Sequence, residues 1–382
     1  MRALILSVSA GGGHGNAAQA VKNYILKHEP HSHIDIIDVI RYINPILDKV
    51  IIGSYLKTIK ITPSLYGKIY KHTYKDSDDS FSTVSSKFNE ILSSRLLPAI
   101  QKSKPDVIIC THFFPTEMIS VLKLKNKLNV PMVCILTDYA PHPIWIHPAV
   151  DTYIVPNSDI IEEMAERGVD KDSIKDYGIP INPNFVKKYN RDETLRELEL
   201  SPYKKTILIM GGSLGMGKIG IIYNQISQID KDIQIIVITG SNKKLFSKLK
   251  ELSEYSNKPT SILGYTKDVN KYMQASDLLI TKPGGLTITE AIASHVPLAL
   301  FSPIPGQEEK NQEFLLKHNL AINLGDGSNC KRIIEELISS PSILEAMKAN
   351  CIKYSKPSCG DNIYEHLRSL IYKYSLDEVK DS

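Results

Sequence analysis

An apolar run that stops at a pair of glycines and restarts at once as a helix constrains this chain more than any other feature. From Ile280 to Gln312 it reads ITKPGGLTITEAIASHVPLALFSPIPGQEEKNQ. Leu278 to Ile280 has the look of a buried strand, Thr281-Lys282-Pro283 ends it, Gly284-Gly285 permits a tight turn, and Leu286 opens a helical pattern. A second strand follows, then a Pro-rich loop that closes on a polar cluster. A strand feeding a helix through glycines leaves N–H groups and the positive end of the helix dipole facing outward, which favours a bound phosphate. The stretch is a candidate nucleotide cradle.

Several side chains near that turn have chemistry beyond packing. Lys282 stands just before Gly284 and Gly285, within reach of a phosphate. Glu290 lies about a turn into the helix, where a carboxylate can accept two ribose hydroxyls. Gln307, Glu308 and Asn311 follow the second strand on the same expected edge and suit sugar hydroxyls. Thr287 belongs to this group, but Thr287 with Glu290 also has the spacing of a capping box, and the Pro-rich loop also reads as a plain turn.

The same rhythm recurs along the chain. Ala3 to Ser7, Ile34 to Val39, Val107 to Cys110, Val133 to Leu136 and Thr152 to Val155 are short buried-strand runs. Between the first two, Asn16 to Lys27 carries Ala17, Ala20, Val21, Tyr24 and Ile25 on one helical face. A polar segment, roughly 182–205, separates these from a second series: Thr206 to Met210, Ile233 to Thr239, Leu278 to Ile280 and Leu298 to Phe301. With 382 residues there is too much chain for one typical core. The expectation is an α/β protein of two doubly wound, Rossmann-like domains across a cleft, with ligands at the carboxyl ends of the strands. The first spans 1–188 and the second 200–358.

A further glycine-rich turn, Gly211-Gly212-Ser213-Leu214-Gly215-Met216-Gly217-Lys218, follows the run ILIM. It is not a Walker A loop, since Ile219 stands where a Ser or Thr is required. Gly212 permits close approach of backbone to a diphosphate, and Ser213 offers a hydroxyl. In the first half, Gly11-Gly12-Gly13-His14 puts an imidazole at the mouth of the first strand. Histidine titrates near neutrality, so His14 there suits proton abstraction, or else simple capping and packing. Asp138, in Thr137-Asp138-Tyr139 at the end of another strand, is a carboxylate that can orient a His or a hydroxyl. His142, Trp145 and His147 follow it, without a third ligand at metal-binding spacing. Asp76-Ser77-Asp78 spells DxD, yet it lies in the polar run KDSDDS and reads as a solvated loop. A reaction without metal or other cofactor is the expectation.

From 41 to 75 the chain carries seven Lys or Arg against one acid, Asp48, a formal +6 where the whole chain is +4. Apolar residues and Tyr42, Tyr55, Tyr66, Tyr70 and Tyr74 are interleaved with them. Basic groups are drawn to anionic lipid, and Tyr suits the lipid–water interface. The apolar density exceeds what nucleic acid needs, and no nucleic-acid motif accompanies it. A pair of core helices with a basic outer face is the plainer reading. No window reaches the roughly 20 apolar residues needed to span a bilayer, and MRALILSVSA runs into GGGHGN rather than a cleavage site. Five cysteines without a CxxC pair read as reduced, buried thiols. A cytoplasmic protein, peripheral on the inner face of the cell membrane, is expected.

TKPGGLTITEA followed by PIPGQEEKN resembles the nucleotide-sugar signature of the glycosyltransferases that add sugars to diacylglycerol. These are the bacterial processive diacylglycerol glucosyltransferases and plant-type monogalactosyldiacylglycerol synthases of glycosyltransferase family 28. More distantly it is similar to the N-acetylglucosaminyltransferase of peptidoglycan lipid synthesis. The likeness runs along nearly the whole chain, with several motifs in the same order. It implies a GT-B architecture whose last helix, here 361–376, packs back on the first domain. It also implies that the 211–218 loop holds a diphosphate, and that Leu263-Gly264-Tyr265-Thr266 holds a uracil ring, with Tyr265 at the base site. His14 would be the base and Asp138 its catalytic companion. The implied reaction moves a hexose, from UDP-glucose or UDP-galactose, to diacylglycerol with inversion, the 41–75 segment docking on anionic membrane. A polyprenyl-linked or soluble acceptor, or a UDP-sugar sensor without catalysis, would keep the same donor residues.

Overall fold

A computed structural model of the chain describes residues 1–9, 12–44, 92–212, 215 and 218–381, the last five of these in backbone only. The chain divides into two compact units. One comprises Met1–Pro183 with Pro305–Gln307 and Ser358–Ser382; the other comprises Asn184–Ile304 and Glu308–Pro357.

In the first unit six parallel strands lie in the order β2-β1-β3-β4-β5-β6: β1 (Arg2–Ser7), β2 (His33–Asp38), β3 (Val107–Cys110), β4 (Met132–Ile135), β5 (Thr152–Ile154) and β6 (Ile174–Lys175). The central strands are apolar throughout, because helices cover both faces of a parallel sheet and no position looks onto water. Two helices place functional side chains here, α1 (Gly13–His28) and α2 (Phe113–Leu124). In the second unit the order is β12-β11-β10-β7-β8-β9, again all parallel. Its strands are β7 (Lys205–Met210), β8 (Ile233–Ile238), β9 (Thr260–Leu263), β10 (Leu278–Thr281), β11 (Leu298–Leu300) and β12 (Ala321–Asn323). Helices α3 (Gly285–Ala293) and α4 (Gln307–Lys317) follow β10 and β11.

Strand order decides where ligands can bind. In a doubly wound sheet a crevice opens where consecutive connections leave in opposite directions, at the carboxyl ends of the two strands concerned. In the first sheet that point lies between β1 and β3, and in the second between β7 and β10. His14 follows β1; the glycine turns at 211–218 and 282–285 follow β7 and β10. His14 and the two glycine motifs therefore lie beside switch points, whereas Asp138 follows β4, Tyr265 follows β9 and Gln307 follows β11.

The last helix, α5 (Cys359–Asp381), packs on α1 within the first unit. Its contacts are specific. Asp361 accepts from Lys27 Nζ at 2.8 Å and is 2.7 Å from His28 Nε2, and the His28 ring stacks on Tyr364 at 4.3 Å. At Gly360 the backbone comes so close that an added Cβ would stand 2.1 Å from the ring of Tyr24, itself buried. The ring is rigid, so the helix would have to back away. Gly360→Ala should destabilise the first unit by about 1–3 kcal/mol, read as a lowered melting temperature.

Candidate active site

The site in the first unit is built on strand ends. Gly12, at φ 91°, adopts the left-handed conformation needed to launch α1 directly from the turn after β1. That turn brings His14 against the end of β3, where His14 Nδ1 lies 2.9 Å from the carbonyl oxygen of Thr111. Thr137 Oγ1, beyond β4, is also 2.9 Å from Nδ1. A carbonyl oxygen only accepts, so Nδ1 carries the proton and Nε2 keeps its lone pair. Thr111 Oγ1 lies 3.1 Å from the carbonyl oxygen of His14, a second tie between the same two residues. The ring is thus fixed in tautomer and direction, as a general base must be.

Burial keeps that imidazole neutral. Burial lowers the His14 pKa from its ordinary value, against an opposite pull from the charge of Asp138 and from the Thr111 hydrogen bond. Asp138, half-buried one residue beyond Thr137, is therefore an electrostatic neighbour of His14. Trp145 lies beside both His14 and His112, with ring centroids 6.3 and 6.2 Å away. His142 caps the turn at Pro143–Trp145 by accepting from Ile144 N at 3.2 Å. His147 Nε2 is 3.0 Å from the Ile144 carbonyl, and burial brings its pKa to about 4. Both imidazoles are engaged in local structure, and no group of three or more His, Cys, Asp or Glu among the described residues is arranged to hold a metal ion.

In the second unit, Lys282, Pro283 and Gly284 turn the chain from β10 into α3. Gly284 is the N-cap and no side chain caps the helix, so the capping box read from Thr287 and Glu290 is not formed: the helix begins at Gly285, too early for Thr287 to cap it. The first-turn N–H groups are left for a ligand. Asn311, fully buried on α4, donates from Nδ2 to the Pro283 carbonyl at 3.0 Å and so sets the turn from behind. Glu308 accepts from Ile304 N at 2.6 Å and pairs with Lys282 Nζ at 3.8 Å. Gln307 is the first residue of α4. Glu290 lies in the second turn of α3, half-buried, and no described residue pairs with its carboxyl, whose pKa burial pushes up to about 8.

Gly212 has φ +69°, and a Cβ at Gly215 would stand 2.1 Å from the Thr239 carbonyl oxygen, so the backbone at Gly215 is pressed against the end of β8. Ser213 lies outside the described residues, as do Asp76-Ser77-Asp78 and all of the basic segment beyond Asn44. Tyr265, two residues past β9, is 71% exposed, its ring open to solvent. The sequence reading passed over Thr281 Oγ1, next to Lys282, and Gln312 Nε2, on α4, buried polar atoms without a partner among the described residues. It also passed over His112, whose signal was available: like His14, it stands between a strand end and a helix start.

Two family models divide the chain between them. That of monogalactosyldiacylglycerol (MGDG) synthase matches residues 14–181, and that of the glycosyltransferase family 28 C-terminal domain matches residues 206–359. The processive diacylglycerol beta-glucosyltransferase of Bacillus pumilus is 31% identical, over 95% of this chain and 94% of the relative. Among solved structures, MurG of Acinetobacter baumannii aligns at TM-score 0.59 and 12% identity, covering 96% of this chain and 99% of MurG. HepE of Anabaena, crystallised with UDP-glucose, aligns at TM-score 0.56 and 13% identity, covering 96% and 99%.

Two Rossmann-like domains of this kind form the GT-B fold. Within that fold class the chain belongs to the diacylglycerol glycosyltransferase family. No helix among the described residues is long and apolar enough to cross a membrane.

Proposed function

We propose that this chain transfers glucose or galactose from a UDP-sugar to the free hydroxyl of diacylglycerol, with inversion, at the cytoplasmic surface of the cell membrane. The observation that carries the reading is the fixed tautomer of His14, whose lone-pair nitrogen is held at the β1/β3 switch point of the first sheet. His14 takes the hydroxyl proton, the oxygen attacks the anomeric carbon opposite UDP, and Asp138 stabilises the imidazolium that forms. In the second unit Gly284, Gly285 and the start of α3 receive the diphosphate with Lys282, together with Gly212 and Ser213. Glu290 and Thr287 take the ribose, Tyr265 lies at the base, and Gln307 and Glu308 read the hexose. Backbone N–H groups and a lysine at the departing diphosphate remove the need for a divalent ion or other cofactor. The segment 41–75 is the membrane-docking surface, on the strength of its charge and its tyrosines.

The test is glycolipid formation from diacylglycerol in anionic liposomes with UDP-glucose or UDP-galactose. Product should form at an unchanged rate in excess chelator and fall as salt is raised. Transfer only to a polyprenyl-linked or soluble acceptor would overturn the acceptor assignment, and UDP-sugar binding without turnover would leave a sensor.

A further inference from the structure

The ring of His112 packs edge-on against that of His14, centroids 4.6 Å apart and planes at 79°. Its state is set by its surroundings. Nδ1 accepts from the backbone N–H of Phe114 at 3.1 Å, capping α2, so the proton of the neutral ring resides on Nε2. Burial, and the neighbouring His14, hold its pKa well below the ordinary imidazole value, so the ring stays neutral. At the β1/β3 switch point the two imidazoles are therefore opposite in sense: His14 presents an acceptor nitrogen, His112 a donor. Neither Nε2 has a hydrogen-bond partner among the described residues.

Diacylglycerol has a matching asymmetry. Its free hydroxyl is its sole donor, and its remaining oxygens are ester oxygens that only accept. A site offering only a base would bind the hydroxyl and leave the esters unread. An N–H aimed at the attacking oxygen would blunt it as a nucleophile, whereas an N–H on the adjacent ester carbonyl fixes the glycerol backbone without cost to reactivity. We propose that His112 reads the acceptor, donating from Nε2 to the ester carbonyl next to the hydroxyl that His14 deprotonates. The inference rests on the diacylglycerol reading above and extends it to acceptor selection.

The experiment compares an ester-linked diacylglycerol with the ether-linked dialkylglycerol of the same chain lengths, which has the hydroxyl but no carbonyl. The wild-type protein should prefer the ester by about tenfold in kcat/KM, the effect of one buried neutral hydrogen bond. His112→Phe should bring the ester-to-ether ratio down to about one, with UDP affinity little changed. His112→Asn, which keeps both a capping oxygen and an N–H, should retain part of the preference. The ester-to-ether ratio is internal to each variant, so loss of folded protein through the missing cap cancels from it. Equal wild-type rates on the two lipids, or a ratio unmoved in His112→Phe, would overturn the inference alone. Wild-type failure on both lipids would instead remove the acceptor assignment, and this inference with it.

Discussion

Replacing His14 by alanine should lower sugar transfer by roughly a thousandfold while UDP affinity changes by less than about twofold. The split follows from where the residue stands. Among the described residues the hydrogen-bond partners of the ring, Thr111 and Thr137, belong to the first unit, whereas the nucleotide residues are assigned to the second. Because burial lowers the His14 pKa, Nε2 stays deprotonated below the usual imidazole midpoint. The rate should be flat through neutrality and fall only as the pH drops beneath that midpoint. Steady-state transfer beside UDP titration calorimetry checks both parts, and an equal loss of UDP affinity would place His14 in nucleotide binding.

Glu290→Ala should weaken UDP binding by about a hundredfold, the effect of two hydrogen bonds to a charged acceptor. In the free protein this carboxyl holds its proton up to about pH 8, since burial disfavours the charge and no described residue offsets it. Ribose hydroxyls would offset it, so binding expels the proton. Below about pH 8 UDP affinity should climb with pH, approaching tenfold per unit, and level off above it. Glu290→Gln should flatten the profile. The same linkage acts on folding with the opposite consequence: between the ordinary carboxyl value and about 8 the folded state holds a proton that the unfolded state releases, so rising pH erodes stability. A pH-independent UDP affinity in the wild-type protein would remove Glu290 from the ribose.

The sequence shows the centre of each sheet better than its rim. Runs such as VIIC and ILIM are buried on both faces and cannot be mistaken. β6, β9 and β12, which the sequence reading passed over, are edge strands of two to four residues, IK, TSIL and AIN. Half-buried strands need no unbroken apolar run, so little marks them off from loops. The glycine turns were legible because a strand, a tight turn and a helix start are contiguous. The support of His14 was not: Thr111 and Thr137 are 97 and 123 residues away in sequence and meet it only because β1 pairs with β3 and β3 with β4. Asn311 drew notice as a polar residue near a sugar site. Burial assigns it another task, holding the Pro283 carbonyl.

The seating of α5 on α1 has a bearing on how the polypeptide matures at the ribosome. Tyr24, Lys27 and His28 emerge early, but Gly360, Asp361 and Tyr364, which cover them, emerge some 330 residues later. The second unit is contiguous enough to close on its own while synthesis continues. The half bearing the imidazoles must wait with an apolar helix face unprotected, and a nascent chain halted before residue 359 would present that face to chaperones instead of completing a catalyst.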